Sequence, residues 1–227
     1  MRSRALVLGG TGAVGSEVVR LIAKRVPTAF SFHSNEARAA ELSKETGAQA
    51  IPLDLVDPRA LNGLTEKLDG EGAFDVLIHC AAPSLTKDDL DTAYAIHGRA
   101  TFNAVKLLAP KMKTAGGGDI VLFGAIDRAQ SLPLPSHLAA AHGMAAAMAM
   151  ALAKEHGADG IRINLIALGL LESGLSRALD PALVDEYRKF SALHRLGSPS
   201  EAARVACWVA LDSTYLSGKV VSCNGGI

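Results

Sequence analysis

A glycine-rich loop near the start of the chain is the feature that most directly indicates a chemistry. Residues 9–15 read Gly-Gly-Thr-Gly-Ala-Val-Gly, directly after an apolar run at 5–8 and directly before a helical pattern. Glycines at these spacings allow a tight turn, close approach of a pyrophosphate and close helix packing, and the helix N-terminus offers free N–H groups. A glycine turn kept only for packing is the alternative. The favoured prediction is a dinucleotide site that includes Gly9, Thr11, Gly12, Val14 and Gly15.

Two more strand ends would meet the adenosine half of such a dinucleotide. The second apolar run ends without the Asp or Glu that would bind both ribose hydroxyls and favour NAD. Ser34, His33 and Arg38 would tolerate a 2′-phosphate, so the sequence favours NADP(H) over NAD(H), or no cofactor if the pocket is vestigial. Asp54 and Leu55 follow the third run. Asp54 is predicted either to hold the adenine amino group or to cap a helix.

The elements that must position these residues alternate regularly along the chain. Strands are predicted at 5–8, 28–32, 50–53, 75–79, 119–123, 161–166 and 219–222, and helices at 13–25, 36–46, 58–69, 88–113, 137–156 and 200–211. This alternation predicts an α/β fold in one domain over 1–227, with a doubly wound, mostly parallel, Rossmann-like sheet in three α/β/α layers. The segment 170–198 interrupts the pattern, which indicates a lid or binding loop, or a surface excursion without a role.

Composition excludes several classes of function. The 227 residues include 23 basic and 23 acidic side chains, so no net charge draws the chain to nucleic acid or to an anionic membrane. Three cysteines lie far apart without a C-x-x-C pair, which argues against a disulfide scaffold or zinc knuckle and favours a cytoplasmic protein. The Ala/Met-rich segment 138–153 carries His142 and Gly143, and we expect a buried helix there, not a membrane span.

The whole chain resembles the short-chain dehydrogenase/reductase family, in particular its ketoacyl-reductase-like members. The matching segments are the loop at 9–15, Asp54, His79-Cys80-Ala81-Ala82, Gly160-Ile161-Arg162-Ile163-Asn164, Leu168-Gly169, Ser173, 195–202 and 217–226. The resemblance implies a Rossmann fold with an NAD(P) cofactor. It also implies that Ala81 and Ser173 contact this cofactor. At the position of Ser173 the family usually has a threonine that contacts the nicotinamide amide.

The catalytic residues of that family are replaced in this sequence. The family uses a tyrosine that protonates a carbonyl, a lysine four residues later, a serine that orients the substrate and a relay asparagine. The resemblance puts Leu138 at the tyrosine, His142 at the lysine, Ala125 at the serine and His97 at the asparagine. No shift of alignment restores the pair, because no lysine lies between positions 113 and 154. The tyrosines of the chain are Tyr94, Tyr187 and Tyr215.

Other residues could supply the missing chemistry. Tyr215 and Lys219 have the right spacing, but they span the turn into the last strand and are a poor candidate pair. Four histidines lie near the expected site: His79, His97, His137 and His142. His142 could bind the ribose and His97 could transfer a proton, although such histidines are more often surface or core residues. No carboxylate accompanies them at ligand spacing, so no metal site is predicted.

Two predicted helices, 88–113 and 137–156, correspond to those that pair members of the resembled family. The second is rich in alanine and methionine and is apolar nearly all round, which indicates contact beyond its own sheet. The sequence therefore predicts a homodimer or homotetramer, or association with an active short-chain reductase subunit. A helix buried within the monomer alone is the alternative.

Three functions are compatible with these residues. The favoured one is a catalytically silent or impaired reductase-like subunit that keeps its nucleotide, because four catalytic replacements together argue against retained activity. The second is an active NADPH-dependent carbonyl or ketoacyl reductase whose proton donor is His97 or His142. The third is a non-redox lyase, isomerase or cyclase on the same fold. No residue identifies the small-molecule substrate.

Overall fold

The structure is a computed structural model that describes residues 3–68, 73–83, 89–125 and 134–227. Within these ranges seven strands form one sheet: β1 Ala5–Leu8, β2 Thr28–Phe32, β3 Gln49–Pro52, β4 Val76–His79, β5 Gly118–Gly124, β6 Ile161–Leu168 and β7 Val220–Cys223. Their order is β3-β2-β1-β4-β5-β6-β7, and every neighbouring pair is parallel. The predicted fold class is confirmed, and each predicted strand is present with ends within two residues.

Helices cover both faces of this sheet. They are α1 Ala13–Ile22, α2 Glu36–Thr46, α3 Ala60–Leu68, α4 Leu90–Ala93, α5 Thr101–Thr114, α6 Ser136–His156, α7 Pro181–Phe190 and α8 Pro199–Leu211. Successive side chains of a strand point to opposite faces. Thus Leu6 and Leu8 of β1 join a core with α3, α5 and α6, whereas Ala5 and Val7 join a second core with α1, α2 and α8. Continuous apolar strands are required because both faces are buried.

The helix predicted over 88–113 is not regular. It begins as α4, continues as a π-helical turn over Tyr94–Ala100, and becomes α-helical again in α5. π-helical turns carry an extra residue and are frequent at functional sites. In this turn Gly98 packs so closely against Met144 of α6 that a side chain at Gly98 would overlap the methionine. His97 is thereby held inside, between the turn and α6.

The segment 170–198, which follows β6, forms a compact structure at the carboxyl edge of the sheet. Its two ends are joined by a bridge between Leu171 and Gly197, and it contains the 3₁₀ turn Gly174–Ala178 and α7. The Asp180 side chain caps α7, whose first residue is a proline, so the sequence did contain a helix-start signal that the loop prediction missed. The Tyr187 hydroxyl donates to the Asn224 carbonyl over 2.7 Å. A lid function for this segment stays a prediction.

Among the described residues one stretch, Ser136–Asp159, is long and apolar enough to cross a membrane, with a mean hydropathy of 1.2. A core helix passes the same test, and 44% of the window is buried in the structure. Its inner face includes Leu138, Ala145 and Leu152, and it packs against β5 and β6. This position agrees with the buried helix expected from the sequence.

Candidate functional site

A crevice lies at the point where the strand order of the sheet reverses, between β1 and β4. The chain winds outward through β1, β2 and β3, then returns to place β4 on the other side of β1. The helices α1 and α5, which follow β1 and β4, therefore pack on opposite faces of the sheet, which leaves a crevice at the carboxyl edge, the position where doubly wound sheets bind ligands. The described residues that line it include Ala13, Val14, Cys80, Ala81, Ala82, His97, Phe123, Gly124, Ala125, Leu134, Leu138, His142, Leu168, Leu171, Ser173, Leu175, Ser176 and Leu179. We call this crevice the cleft.

Two glycines of the predicted nucleotide loop are required by the fold itself. Gly9 has a φ of +76°, and a Cβ there would lie 2.6 Å from the backbone N and Cα of Ala81. A Cβ at Gly15 would overlap the Gly9 carbonyl oxygen. The loop is held further because the Gly9 N–H donates to Ser31 Oγ over 3.0 Å. The loop after β1 is therefore in close contact with the end of β4.

The fold constrains Gly12 less than it constrains these two glycines. Its φ of −67° and ψ of 168° suit any residue, and a Cβ there would approach only the Gly9 carbonyl oxygen, at 3.3 Å. Gly12 is exposed and precedes α1 without a side-chain cap, so the first N–H groups of α1 lack intrahelical partners. An anion bound there would need the space above Gly12. A glycine at position 12 is therefore explained better by the approach of a ligand than by packing within the protein.

The residues predicted to meet the adenosine lie together at the ends of β2 and β3. Ser34 is exposed, and the Arg38 guanidinium at the start of α2 donates to Ser16 Oγ over 3.1 Å. Asp54 accepts the Val56 N–H at 2.9 Å, so its carboxylate closes a turn and does not cap α3. The Leu55 side chain is buried in the core, which leaves only its backbone for a ligand. The adenine contact of Asp54 stays a prediction.

All four positions matched to the family's catalytic residues lie in the wall of the cleft. Leu138 is completely buried, and it packs with Ala93 and Ala141. Ala125 follows β5, while His97 and His142 come from the π-helical turn and α6. In the described part of the lining the polar side chains are Cys80, His97, His142, Ser173 and Ser176. Neither a tyrosine nor a lysine is among them.

Three histidines form a contiguous row, which we call the histidine row: His79, His97 and His142. The rings of His79 and His97 are stacked with centroids 6.5 Å apart, and His97 meets His142 edge to face at 4.7 Å. His79 ends β4 beneath the other two. The fourth predicted histidine, His137, is buried at the start of α6 and is not among the described lining residues.

Burial keeps the histidine row neutral. Desolvation lowers the pKa of His79 and of His142 from 6.5 to about 4. The pKa of His97 is lowered further, by burial and then by its two histidine neighbours. Among the described residues, His97 Nε2 and His142 Nδ1 have no hydrogen-bond partner. Both imidazoles can accept or donate a hydrogen bond, but neither carries a readily available proton near pH 7.

The alternative pair Tyr215 and Lys219 lies outside the cleft. Tyr215 is 99% exposed, and Lys219 precedes β7. Both therefore lie near the amino edge of the parallel sheet, opposite the cleft. They cannot act on a ligand bound at the carboxyl edge.

Sequence reasoning missed most of the apolar wall of the cleft. These residues are Ala82, Phe123, Leu134, Leu171, Leu175 and Leu179. Their only sequence signal is a position at or after a strand's carboxyl end. Within the part of the chain that the structure describes, no group of three or more His, Cys, Asp or Glu side chains could hold a metal ion.

Fold and cleft together define a Rossmann-type protein with a dinucleotide crevice at its switch point. The chain belongs to the short-chain dehydrogenase/reductase family: the family model described as Enoyl-(Acyl carrier protein) reductase matches residues 15–227. A cyclic-di-GMP-binding biofilm dispersal mediator protein of Escherichia coli is 28% identical over 97% of this chain and 94% of its own length. A 3-oxoacyl-(acyl-carrier-protein) reductase of Chlamydia trachomatis is 26% identical over 98% and 96%.

Solved structures share the same architecture. BdcA in complex with NADPH has a TM-score of 0.86 and 26% identity, covering 98% of this chain and 93% of its own. A blue fluorescent protein from a metagenomic library, also in complex with NADPH, has a TM-score of 0.86 and 26% identity over 99% and 97%. Both similarities extend over the whole sheet and the cleft.

Proposed function

We propose that this chain is an NADP(H)-binding member of its family that has lost the usual reductase chemistry, so that it serves as a silent or impaired reductase-like subunit. The observation that carries the proposal is Leu138, a buried aliphatic residue in the cleft wall where the family has its proton-donating tyrosine. His142 replaces the lysine that would lower the tyrosine pKa, and Ala125 replaces the substrate-orienting serine. Without these groups a carbonyl in the cleft meets no tyrosine, lysine or carboxylic acid among the described lining residues that would supply its proton.

Retention of the nucleotide is supported by the glycine loop and by the comparisons. Gly12 is exposed at the start of α1, and its ordinary backbone dihedral angles do not themselves require a glycine. The two solved neighbours at 26% identity are complexes with NADPH. The Escherichia coli relative is named for binding a nucleotide, not for a reaction, so a binding role is compatible with this family. We therefore propose NADP(H) as the ligand of the loop.

An altered mechanism with a histidine donor is less favoured. With a pKa of about 4, His142 is protonated in only about one molecule in a thousand at pH 7. The pKa of His97 is lowered as well. An efficient general acid needs a pKa near the working pH. The histidine row is therefore a weak source of protons, and any turnover would depend mainly on the proximity of nicotinamide and carbonyl.

Turnover and nucleotide binding must be measured on the same preparation. We expect NADPH to raise the melting temperature with increasing concentration, since binding stabilises the folded state. A panel of ketones and 3-oxoacyl thioesters should give no NADPH oxidation above background. Turnover of about 1 s⁻¹ or more, the range of ordinary enzymes, would contradict the proposal. Absence of any thermal shift with NADPH or NADH would contradict the proposed binding of a nucleotide.

Restoring the family's residues provides the complementary test. The fourfold variant His97→Asn, Ala125→Ser, Leu138→Tyr and His142→Lys should oxidise NADPH with at least one ketone of the panel. The matched control omits only Leu138→Tyr and should stay silent, because the tyrosine is the proton donor. Equal rates in both variants would show that proton donation is not what the natural chain lacks.

The preference for the phosphorylated cofactor should depend on Arg38. Its guanidinium lies between the start of α2 and Ser16 of α1, beside the end of β2 where the adenosine ribose belongs. Arg38→Ala should weaken NADPH binding about tenfold, the value of one charge-assisted phosphate contact, and leave NADH unchanged. Titration of nicotinamide fluorescence measures both affinities. Arg188→Ala, in an exposed ion pair on α7, is the control and should alter neither.

Self-association and a cytoplasmic location belong to the same proposal. Phe102 of α5 and Met150 of α6 are large apolar side chains that remain nearly half exposed. A homodimer or homotetramer would cover them, as would an active short-chain reductase partner. Light scattering coupled to size-exclusion chromatography measures the mass of the assembly. The three free cysteines, Cys80, Cys207 and Cys223, suit a reducing compartment.

A further inference from the structure

The first turns of α6 pack differently from the rest of that helix. Ala149 and Leu152, in its second half, belong to the large core that also contains residues of β1, α3 and α5. Leu138 and Ala141, by contrast, form a separate small cluster with Ala93 of α4. A small cluster buries far less apolar surface than a core that spans the sheet. The start of α6 therefore relies on its contacts with α4 and the π-helical turn, and we call this set of contacts the seam.

Two imidazoles meet at the centre of the seam. His97 of the π-helical turn and His142 of α6 lie edge to face with ring centroids 4.7 Å apart, and both are less than a tenth exposed. Next to them Met144 of α6 packs closely against Gly98. A proton on either ring would put a charge into apolar surroundings, and a proton on each would add repulsion between like charges. The seam is therefore compatible only with neutral imidazoles.

No described side chain balances a positive charge at the seam. The charges that alter the pKa of His97 are those of His142 and His79, and both lower it in addition to burial. Burial alone lowers the pKa of His142. Arg99 is directed elsewhere, since its guanidinium donates to the Val56 carbonyl. The other titratable or charged side chains on the elements around the seam and on the cleft segment 168–179 are Cys80, Asp89, Asp91, Tyr94, His137, Glu172 and Arg177.

The π-helical turn is fixed to the sheet, whereas the start of α6 is not. His79 pairs with Leu8 of β1 on one side and with Leu122 of β5 on the other. Its ring hydrogen-bonds to the backbone of Ile96, and this bond favours the protonated ring, so acid does not break it. The N-cap of α6 is Pro135, which provides no side-chain cap. Movement of the start of α6 is therefore the easiest way to bring a charged imidazole into water.

We propose that the seam is an acid-sensitive latch: uptake of a proton by His97 or His142 releases the start of α6, residues 136–144, from the π-helical turn while the sheet stays folded. Leu138 and His142 also line the cleft, so release in mild acid removes part of the cleft wall. The inference rests on the proposed function only in that a nucleotide is taken to occupy this cleft.

Hydrogen–deuterium exchange, resolved to single amides by NMR at pH 7, 6 and 5, tests the latch on the natural protein without nucleotide. The intrinsic exchange rate at each pH is divided out, which leaves the opening constant of each amide. Desolvation lowers the pKa of His142 from 6.5 to about 4 in the closed form. One such imidazole makes opening about 20-fold more frequent at pH 5 than at pH 7, and we expect this rise for the amides of residues 140–144.

The second half of α6 is the internal control. The amides of residues 149–152 should keep an opening constant at least tenfold smaller at every pH, because their side chains belong to the large core. Equal opening constants in the two halves of the helix would mean that acid acts only through global unfolding, and would overturn the proposal. An opening constant of residues 140–144 that does not change with pH would overturn it as well.

Variants assign the rise to the two imidazoles. The double variant His97→Phe, His142→Phe keeps planar rings that take up no proton, so its rise between pH 7 and pH 5 should be about threefold or less. His194→Asn is the control: His194 is exposed, its φ of +52° suits asparagine, and the full rise should remain. If the double variant does not fold, the comparison between the two halves of α6 in the natural protein still decides.

The two proposals can fail separately. Absence of NADPH binding at pH 7 would refute the proposed function and leave the latch intact, because exchange is measured without nucleotide. Binding of NADPH together with equal opening of the two halves of α6 would do the opposite.

Discussion

Replacing Gly12 by valine is expected to weaken NADPH binding by about 100-fold or more, roughly 2.8 kcal/mol, with little effect on folding. The fold disfavours a side chain at Gly12 much less than at Gly15, because the backbone is in an ordinary extended conformation and the nearest atom to a Cβ, the Gly9 carbonyl oxygen at 3.3 Å, need shift only slightly. A bound pyrophosphate would occupy that space at the start of α1. The measurement is a fluorescence titration with NADPH beside a urea unfolding curve.

Gly15→Val is the contrasting variant in the same loop. Its Cβ would overlap the Gly9 carbonyl oxygen, so this change should lower the stability of the protein by several kcal/mol as well as its affinity. Stability loss at Gly12 is expected to stay near 1 kcal/mol, the usual effect at a helix cap. If Gly12→Val binds NADPH as tightly as the natural chain, the nucleotide does not lie on this loop.

The free energy of unfolding is expected to fall steeply between pH 6.5 and pH 4.5. His79 and His142 have pKa values of about 4 in the folded chain against an ordinary 6.5, and the pKa of His97 is lowered too. Between the folded-state and unfolded-state pKa values, the unfolded chain binds protons that the folded chain does not bind, so stability is lost as the pH falls. Each buried histidine contributes about 1.4 kcal/mol per pH unit, which makes the total loss several kcal/mol. Above pH 7 the three contribute no slope.

Urea unfolding at pH 7.5, 6.5, 5.5 and 4.5 measures this slope. His142→Leu should remove about a third of it, because one of the three titrating groups is gone. Phe190→Leu is the control: Phe190 is 74% exposed and carries no titratable group, so its replacement should leave the slope unchanged. A natural chain whose stability is constant over this pH range would show that the histidine row is charged or solvated in the folded state.

The nucleotide loop and the sheet could be predicted from local sequence alone. Apolar runs of four to six residues between helical patterns specify a buried parallel strand, and the glycines follow directly after one of them. The predicted strand ends accordingly agree with the structure to within two residues. The π-helical turn at Tyr94–Ala100 could not be predicted, because it depends on the contact between Gly98 and Met144, which lie 46 residues apart in the sequence numbering.

The candidate site, too, was only partly predictable from the sequence. The types of residue at positions 97, 125, 138 and 142 are in the sequence, and the resemblance to the family predicts that they stand where its catalytic groups stand. That His79, His97 and His142 touch in a row was not visible, since they come from a strand, a π-helical turn and a separate helix. Their neutral state follows from this burial, not from their spacing.

The sequence by itself determined the fold class, the glycine loop after the first strand and the absence of a tyrosine from residues 136–156, because each depends on neighbouring residues or on residue type. Only the tertiary structure decided what the replacement residues can do. Packing of α6 against the π-helical turn removes water from three imidazoles, and desolvation then lowers their pKa; within the described residues one ring nitrogen of each has no hydrogen-bond partner. Burial depends on contacts between distant segments, so no local pattern of residues reports it.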